Sequence, residues 1–134
     1  MIKRYKKFED VKLSDNFIST DFDCKCREKT CDFTLIDSDL IYALDQLVDR
    51  FVPQIQILSG YRCSHHNAAV QGKLGSFHLL GKGSDIKSQF ASPEEIYYHT
   101  KSIPLFNNGG IGVYLNWIHL DVRGYKSRWG KFLD

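Results

Sequence analysis

What the sequence lacks narrows its function first. No apolar run approaches the roughly 20 residues a membrane-spanning helix needs, so no membrane partner is expected. The N-terminus, Met1 to Asp10, is basic but has neither an apolar stretch nor a small-residue cleavage site. No signal peptide is therefore expected; synthesis in the cytoplasm follows, and work outside the cell needs another exit. There is no surplus of one charge: 18 Lys and Arg face 16 Asp and Glu, a net +2. The basic residues gather at the termini and no strand interleaves them with aromatics, which argues against a nucleic-acid or polybasic membrane binder. Internal repeats, low-complexity tracts and linkers are also missing. That excludes solenoids and arrays and leaves a single domain over 1–134. Residues 1–12, with the basic cluster Lys3 to Lys7, read as a loose N-terminal arm.

What remains is globular. Hydrophobic residues make up 43% and charged residues 25%, enough to build one core without covalent staples. A helix is predicted after a cap at Asp37 or Ser38, because Leu40, Ala43, Leu44, Leu47, Val48 and Phe51 share one face before Pro53. Gln54 to Leu58 alternates like a strand and stops at Ser59-Gly60. A short helix is expected near Asn67 to Val70, then a Gly-rich loop from Gln71 to Gly83, then a strand over Ser84 to Ser88. Ser92-Pro93-Glu94-Glu95 is a capping box with Pro at the first helical position, and that helix ends before Pro104. Asn107 to Gly110 is a turn leading into paired antiparallel strands, Ile111 to Tyr114 and Trp117 to Arg123. The expected class is α+β: a small antiparallel sheet with helices packed on one face.

Two segments carry chemistry. His78 lies in the Gly-rich loop, and Asp85 follows at a strand start; a loop that folds back brings both to one point. On the last strand, Trp117, His119, Asp121 and Arg123 share one face, while Ile118, Leu120 and Val122 turn to the core. Read alone, that face is also satisfied by an ordinary Asp–Arg surface pair. His78, Asp85 and His119 together make two imidazoles and one carboxylate with a fourth position left open, the arrangement of a catalytic zinc site.

With Ser59-Gly60-Tyr61-Arg62-Cys63, His66-Asn67, Ser76-x-His78-x-x-Gly81-x-x-Asp85 and His119-x-Asp121-x-Arg123 in that order, the chain resembles the M15-type zinc peptidases from about Leu13 to Trp129. These are the D-Ala-D-Ala carboxypeptidases and bacteriophage L-Ala-D-Glu endopeptidases, whose fold the hedgehog signalling domain shares. The resemblance implies that His78, Asp85 and His119 bind zinc. It implies that Arg62 faces the substrate, although a turn-bracing salt bridge explains an arginine there equally well. Ser76 holds its loop or meets substrate, and Trp129 forms a cleft wall or packs the C-terminal tail. In many relatives the general base stands three residues before the last His as a carboxylate, or two before it as a His. Here Asn116 and Trp117 occupy those places, and neither accepts a proton at neutral pH. Asp121 is then the expected base, with a role orienting a ligand or pairing Arg123 as its alternative, and His66 as another candidate.

Cys24, Cys26, Cys31 and Cys63 leave three readings open: a structural zinc site of four thiolates, one or two disulfides with Cys63 joined to one of the others, or free buried thiols. The resemblance implies a hydrolase that cuts peptidoglycan stem peptides with metal-activated water, as an endolysin released at host lysis or as a virion component. The alternative is a zinc-containing module of the same fold that binds a peptide or a virion protein without cutting it.

Overall fold

The computed structural model describes residues 1–131; the last three positions of the expected 1–134 domain lie outside the described residues. The element order is β1 (Ile2–Lys6), β2 (Phe33–Asp37), α1 (Ser38–Arg50), β3 (Gln56–Ser59), α2 (Ser64–Ala69), β4 (Gly83–Lys87), α3 (Pro93–Thr100), α4 (Pro104–Asn107), β5 (Gly110–Val113), β6 (Ile118–Asp121) and β7 (Ser127–Gly130). Two 3-10 turns, Ser19–Phe22 and Phe77–Leu80, interrupt the loops. No helix among the described residues is long and apolar enough to cross a membrane.

The α+β class read from the sequence is the class of the fold. β1 and β2 form a two-stranded antiparallel sheet, and the main sheet has five strands in the order β3-β4-β6-β5-β7. That sheet is mixed where the sequence predicts a purely antiparallel one: β7 joins β5 in parallel. Helices α3 and α4 pack on β5 and β6, and α1 packs on α4 and β2. The core between them holds Leu40, Leu44 and Leu47 of α1, Ile96 of α3, Phe106 of α4, and Ile111, Val113, Ile118 and Leu120 of the sheet. Asp37 caps α1 by accepting the Asp39 N–H at 2.9 Å. Ser92 and Glu95 close the capping box of α3 at 3.2 Å and 3.1 Å.

Residues 1–12 are not a loose arm. β1 pairs along its length with β2, from Ile2 opposite Asp37 to Lys6 opposite Phe33. Beyond it the Lys7 N–H donates to the Asp32 carbonyl and the Phe8 N–H to Asp23 Oδ2, both at 2.9 Å. The Lys3, Arg4 and Lys6 side chains stay exposed and Lys7 is buried, while the backbone is satisfied and Tyr5 packs on the core. The charge run therefore marks the outer face of an edge strand, a usual way to keep such an edge from pairing with other chains.

Candidate metal centre and cleft

Strand register sets one row of residues across the main sheet. Asp85 on β4 lies opposite His119 on β6, His119 opposite Gly112 on β5, and Gly112 opposite Trp129 on β7. A Cβ at Gly112 would sit 2.2 Å from Trp129 Nε1, so the absent side chain lets the indole lie down beside His119. The rings of His119 and Trp129 are 5.2 Å apart. His78 comes from outside the sheet, on the 3-10 turn Phe77–Leu80. Ser76 caps that turn, its Oγ accepting the His78 N–H at 3.2 Å. Gly81 ends it at φ +72°, a conformation that suits glycine.

The row and the turn converge. His78 Nε2 lies 3.2 Å and His119 Nδ1 3.0 Å from one atom, Asp85 Oδ1. The far ring nitrogens are anchored: His78 Nδ1 is 2.6 Å from the Gly60 carbonyl oxygen, and His119 Nε2 is 2.7 Å from Asp121 Oδ2. Both anchors are acceptors, so in the neutral tautomers that suit them the ring protons lie on those nitrogens. The lone pairs of His78 Nε2 and His119 Nδ1 then face Asp85. Two lone pairs and a carboxylate repel one another unless a cation joins them. An ion bound tetrahedrally by nitrogen and oxygen at about 2.0–2.2 Å sets its ligands about 3.3–3.6 Å apart, near the observed separations. The donor set fits zinc by its chemistry, and its three ligand atoms lie within 4.8 Å of one another.

Charge is distributed to hold this arrangement. Burial would raise the Asp85 pKa, but its contacts with His119 and His78 outweigh that and hold it well below the usual carboxylate range. Burial would lower the His119 pKa, yet Asp121 and Asp85 on either side raise it, so a proton competes with a cation for Nδ1. Arg62 Nη2 donates to the second Asp85 oxygen at 3.1 Å. Its Nε donates to Ser59 Oγ at 3.1 Å and its Nη1 to Asn67 Oδ1 at 3.4 Å. Arg62 lines the cleft, but these donors brace its own turn and Asp85.

Asp121 is not placed to act as a base. It has no exposed surface and is not among the residues that line the cleft. Arg123 grips it with Nε and Nη2 at 2.9 Å and 2.7 Å, and the Gly110 N–H donates to it at 2.8 Å. Burial opposes its ionisation, but the bonds from His119 and Arg123 prevail and hold its pKa well below normal. A carboxylate so stabilised is a poor proton acceptor. It orients His119 from behind. His66, on α2, does not line the cleft either, and Asn116 is exposed in the turn after β5.

The cleft over the three donors has a volume of about 390 Å³. Lys73, Ser76, Tyr114, Trp117, Arg123 and Trp129 shape its walls. Trp117 stacks on Tyr114 at 4.6 Å, and Trp129 Nε1 donates to the Tyr114 hydroxyl at 2.9 Å. Trp129 is thus a wall residue, and Ser76, whose Oγ caps the 3-10 turn, lines the cleft as well. Sequence reading missed Tyr114, Lys73 and Gly112. The alternation Gly110-Ile111-Gly112-Val113 was the available signal, since glycine at every second strand position marks close approach on one face. A larger hollow, about 700 Å³, runs beside β3 and β4 but is not lined by any of the three donors.

The four cysteines also meet. Their sulfur atoms all lie within 4.8 Å of one another, and none is in a disulfide.

The family model described as Peptidase M15 matches residues 15–121 of the chain, which includes His78, Asp85, His119 and Asp121. Neither the curated proteins nor the solved structures compared with the chain give a match.

Proposed function

The chain belongs to the peptidase M15 family, and on that premise we propose that it is a zinc-dependent peptidase of peptidoglycan stem peptides. The observation that carries this reading is the convergence of His78 Nε2, Asp85 Oδ1 and His119 Nδ1 at the base of an open cleft. Zinc held by those three atoms supplies a Lewis acid for the scissile carbonyl and a water acidic enough to attack near neutral pH.

The chain's own residues prepare that centre. The Gly60 carbonyl and Asp121 fix the tautomers of His78 and His119, and Arg62 holds the second oxygen of Asp85. Such outer partners keep ligand lone pairs aimed before any substrate arrives. Trp117 and Trp129 offer flat apolar walls, while Lys73 and Arg123 bring positive charge to the same cleft. That combination suits a short peptide bearing carboxylates, which is what a stem peptide is. Cleavage of a terminal D-Ala-D-Ala bond and of an internal L-Ala-D-Glu bond both fit the open site.

A second reading rests on one specific observation. Among the described residues lining the cleft, Asp85 is the only carboxylate, and His78 and His119 are the only imidazoles. A module that binds a stem peptide or a virion protein without hydrolysis needs no further proton acceptor. Incubating purified peptidoglycan with chelated protein, then restoring zinc, separates the two. The peptidase reading expects new amino termini on zinc addition and none with His119→Ala. Binding to peptidoglycan with no new termini under any divalent metal would favour the zinc-containing binding module.

A further inference from the structure

The four cysteines lie outside the cleft and play no part in the peptidase reading. Cys24, Cys26 and Cys31 come from the loop before β2, and Cys63 caps α2 directly after Arg62. The Cys63 sulfur lies 3.7 Å from the Cys24 sulfur and 3.7 Å from the Cys26 sulfur. A disulfide needs its sulfurs at about 2.05 Å. An ion bound tetrahedrally to sulfur at about 2.3 Å sets its ligands about 3.8 Å apart. The two Cys63 separations match the edges of a coordination tetrahedron, and all four sulfurs lie within 4.8 Å of one another.

A second observation is independent of spacing. Lys7 is only 7% exposed, and its hydrogen-bond partners are the Cys26 carbonyl at 3.4 Å and the Cys26 and Cys31 sulfurs at 3.8 Å each. A buried ammonium needs negative charge close by. Neutral thiols and disulfides do not provide it; metal-bound thiolates do, because four of them around a divalent ion carry a net charge of about −2. Backbone donors point inward too. The Cys63 N–H reaches the Cys24 sulfur and the His66 N–H reaches the Cys63 sulfur, each at 3.4 Å. Such bonds satisfy sulfur lone pairs that an ion leaves unused.

We infer that Cys24, Cys26, Cys31 and Cys63 hold a structural zinc ion, separate from the cleft, whose net negative charge is balanced in part by buried Lys7. Four thiols release four protons as the ion binds. The ion takes the place of apolar packing in a small second core, where Cys24, Cys31 and Tyr61 sit against Phe33 and Leu35. It also joins the Cys24 to Cys31 loop to the turn that carries Arg62, and Arg62 holds Asp85. Removing it therefore loosens the catalytic row from a distance.

The test uses the full chain purified under reducing conditions with zinc, as wild type and as the double variant His78→Ala/His119→Ala. The double variant lacks the cleft donors, so its result does not depend on the peptidase reading. Elemental analysis is expected to find one zinc per chain in it and two in the wild type. Cobalt(II) exchanged into the double variant is expected to show intense sulfur-to-cobalt charge-transfer absorption. The single substitution Cys26→Ser should weaken that band by at least about a quarter and lower the cobalt affinity. Should that variant fail to fold, thiol titration of the intact protein reads the same site: the four thiols resist reagent until a chelator is added. A double variant that retains no zinc, holds iron instead, or contains disulfides under these conditions overturns the inference. So does a wild type whose four thiols react at once without chelator.

Discussion

The Asp121 carboxylate is committed on all sides. It takes bonds from the Gly110 N–H, from the Arg123 N–H and guanidinium, and from His119 Nε2. Substituting Asp121→Asn keeps the size but puts an amide where His119 needs an anionic acceptor. We expect zinc affinity to fall about 10–100-fold, the usual effect of losing a partner behind a ligand. Competition with a chromogenic chelator measures it. Loss of turnover with unchanged zinc affinity would instead return Asp121 to the role of base. The sequence showed that His119 and Asp121 share a strand face, which follows from the two-residue period. It did not show which side of that face is open, because that depends on Trp129 arriving from β7 by way of β5.

At the scale of elements, Asp37 joins three of them. It ends β2, caps α1 and receives Lys82 Nζ at 2.7 Å from the approach to β4. Burial would raise its pKa, but Lys82 and the Asp39 N–H more than offset this, and the folded value lies below the unfolded one. A depressed carboxylate stabilises the fold above its unfolded pKa of about 4, and that contribution fades as acid protonates it in the folded state. We expect Asp37→Ala to cost about 2 kcal/mol near neutral pH, combining a lost cap with a lost partly buried ion pair. Denaturant unfolding at neutral pH and in acid checks both parts: the gap between wild type and variant should narrow in acid. A gap that stays constant would remove the charge from the explanation. Helices α1 and α3 were legible because caps and a 3.6-residue period are local signals. β1 and β7 were not. Ile2–Lys6 carries charges on an exposed edge, and its partner lies some 30 residues away. Ser127–Gly130 is four residues long and pairs in parallel with a strand that precedes β6. Nothing in either segment alone names its partner.

In the whole molecule, the helices pack on the main sheet around one core, and the candidate site lies where the 3-10 turn Phe77–Leu80 meets β4 and β6. β4 and β6 hold two of the donors in register, and one 3-10 turn delivers the third. The donor types and their order were readable in advance, because imidazole and carboxylate are recognisable wherever they occur. Of the cleft walls, Trp129 was readable as a candidate but Tyr114 was not, because a parallel strand pairing brings the two together. The central claim is that His78, Asp85 and His119 hold one zinc ion between them. Anomalous diffraction from zinc-soaked crystals, recorded on both sides of the zinc absorption edge, tests it most directly. A difference peak bonded to His78 Nε2, Asp85 and His119 Nδ1 is the predicted result. A zinc-saturated crystal with no peak among those three atoms would contradict the account.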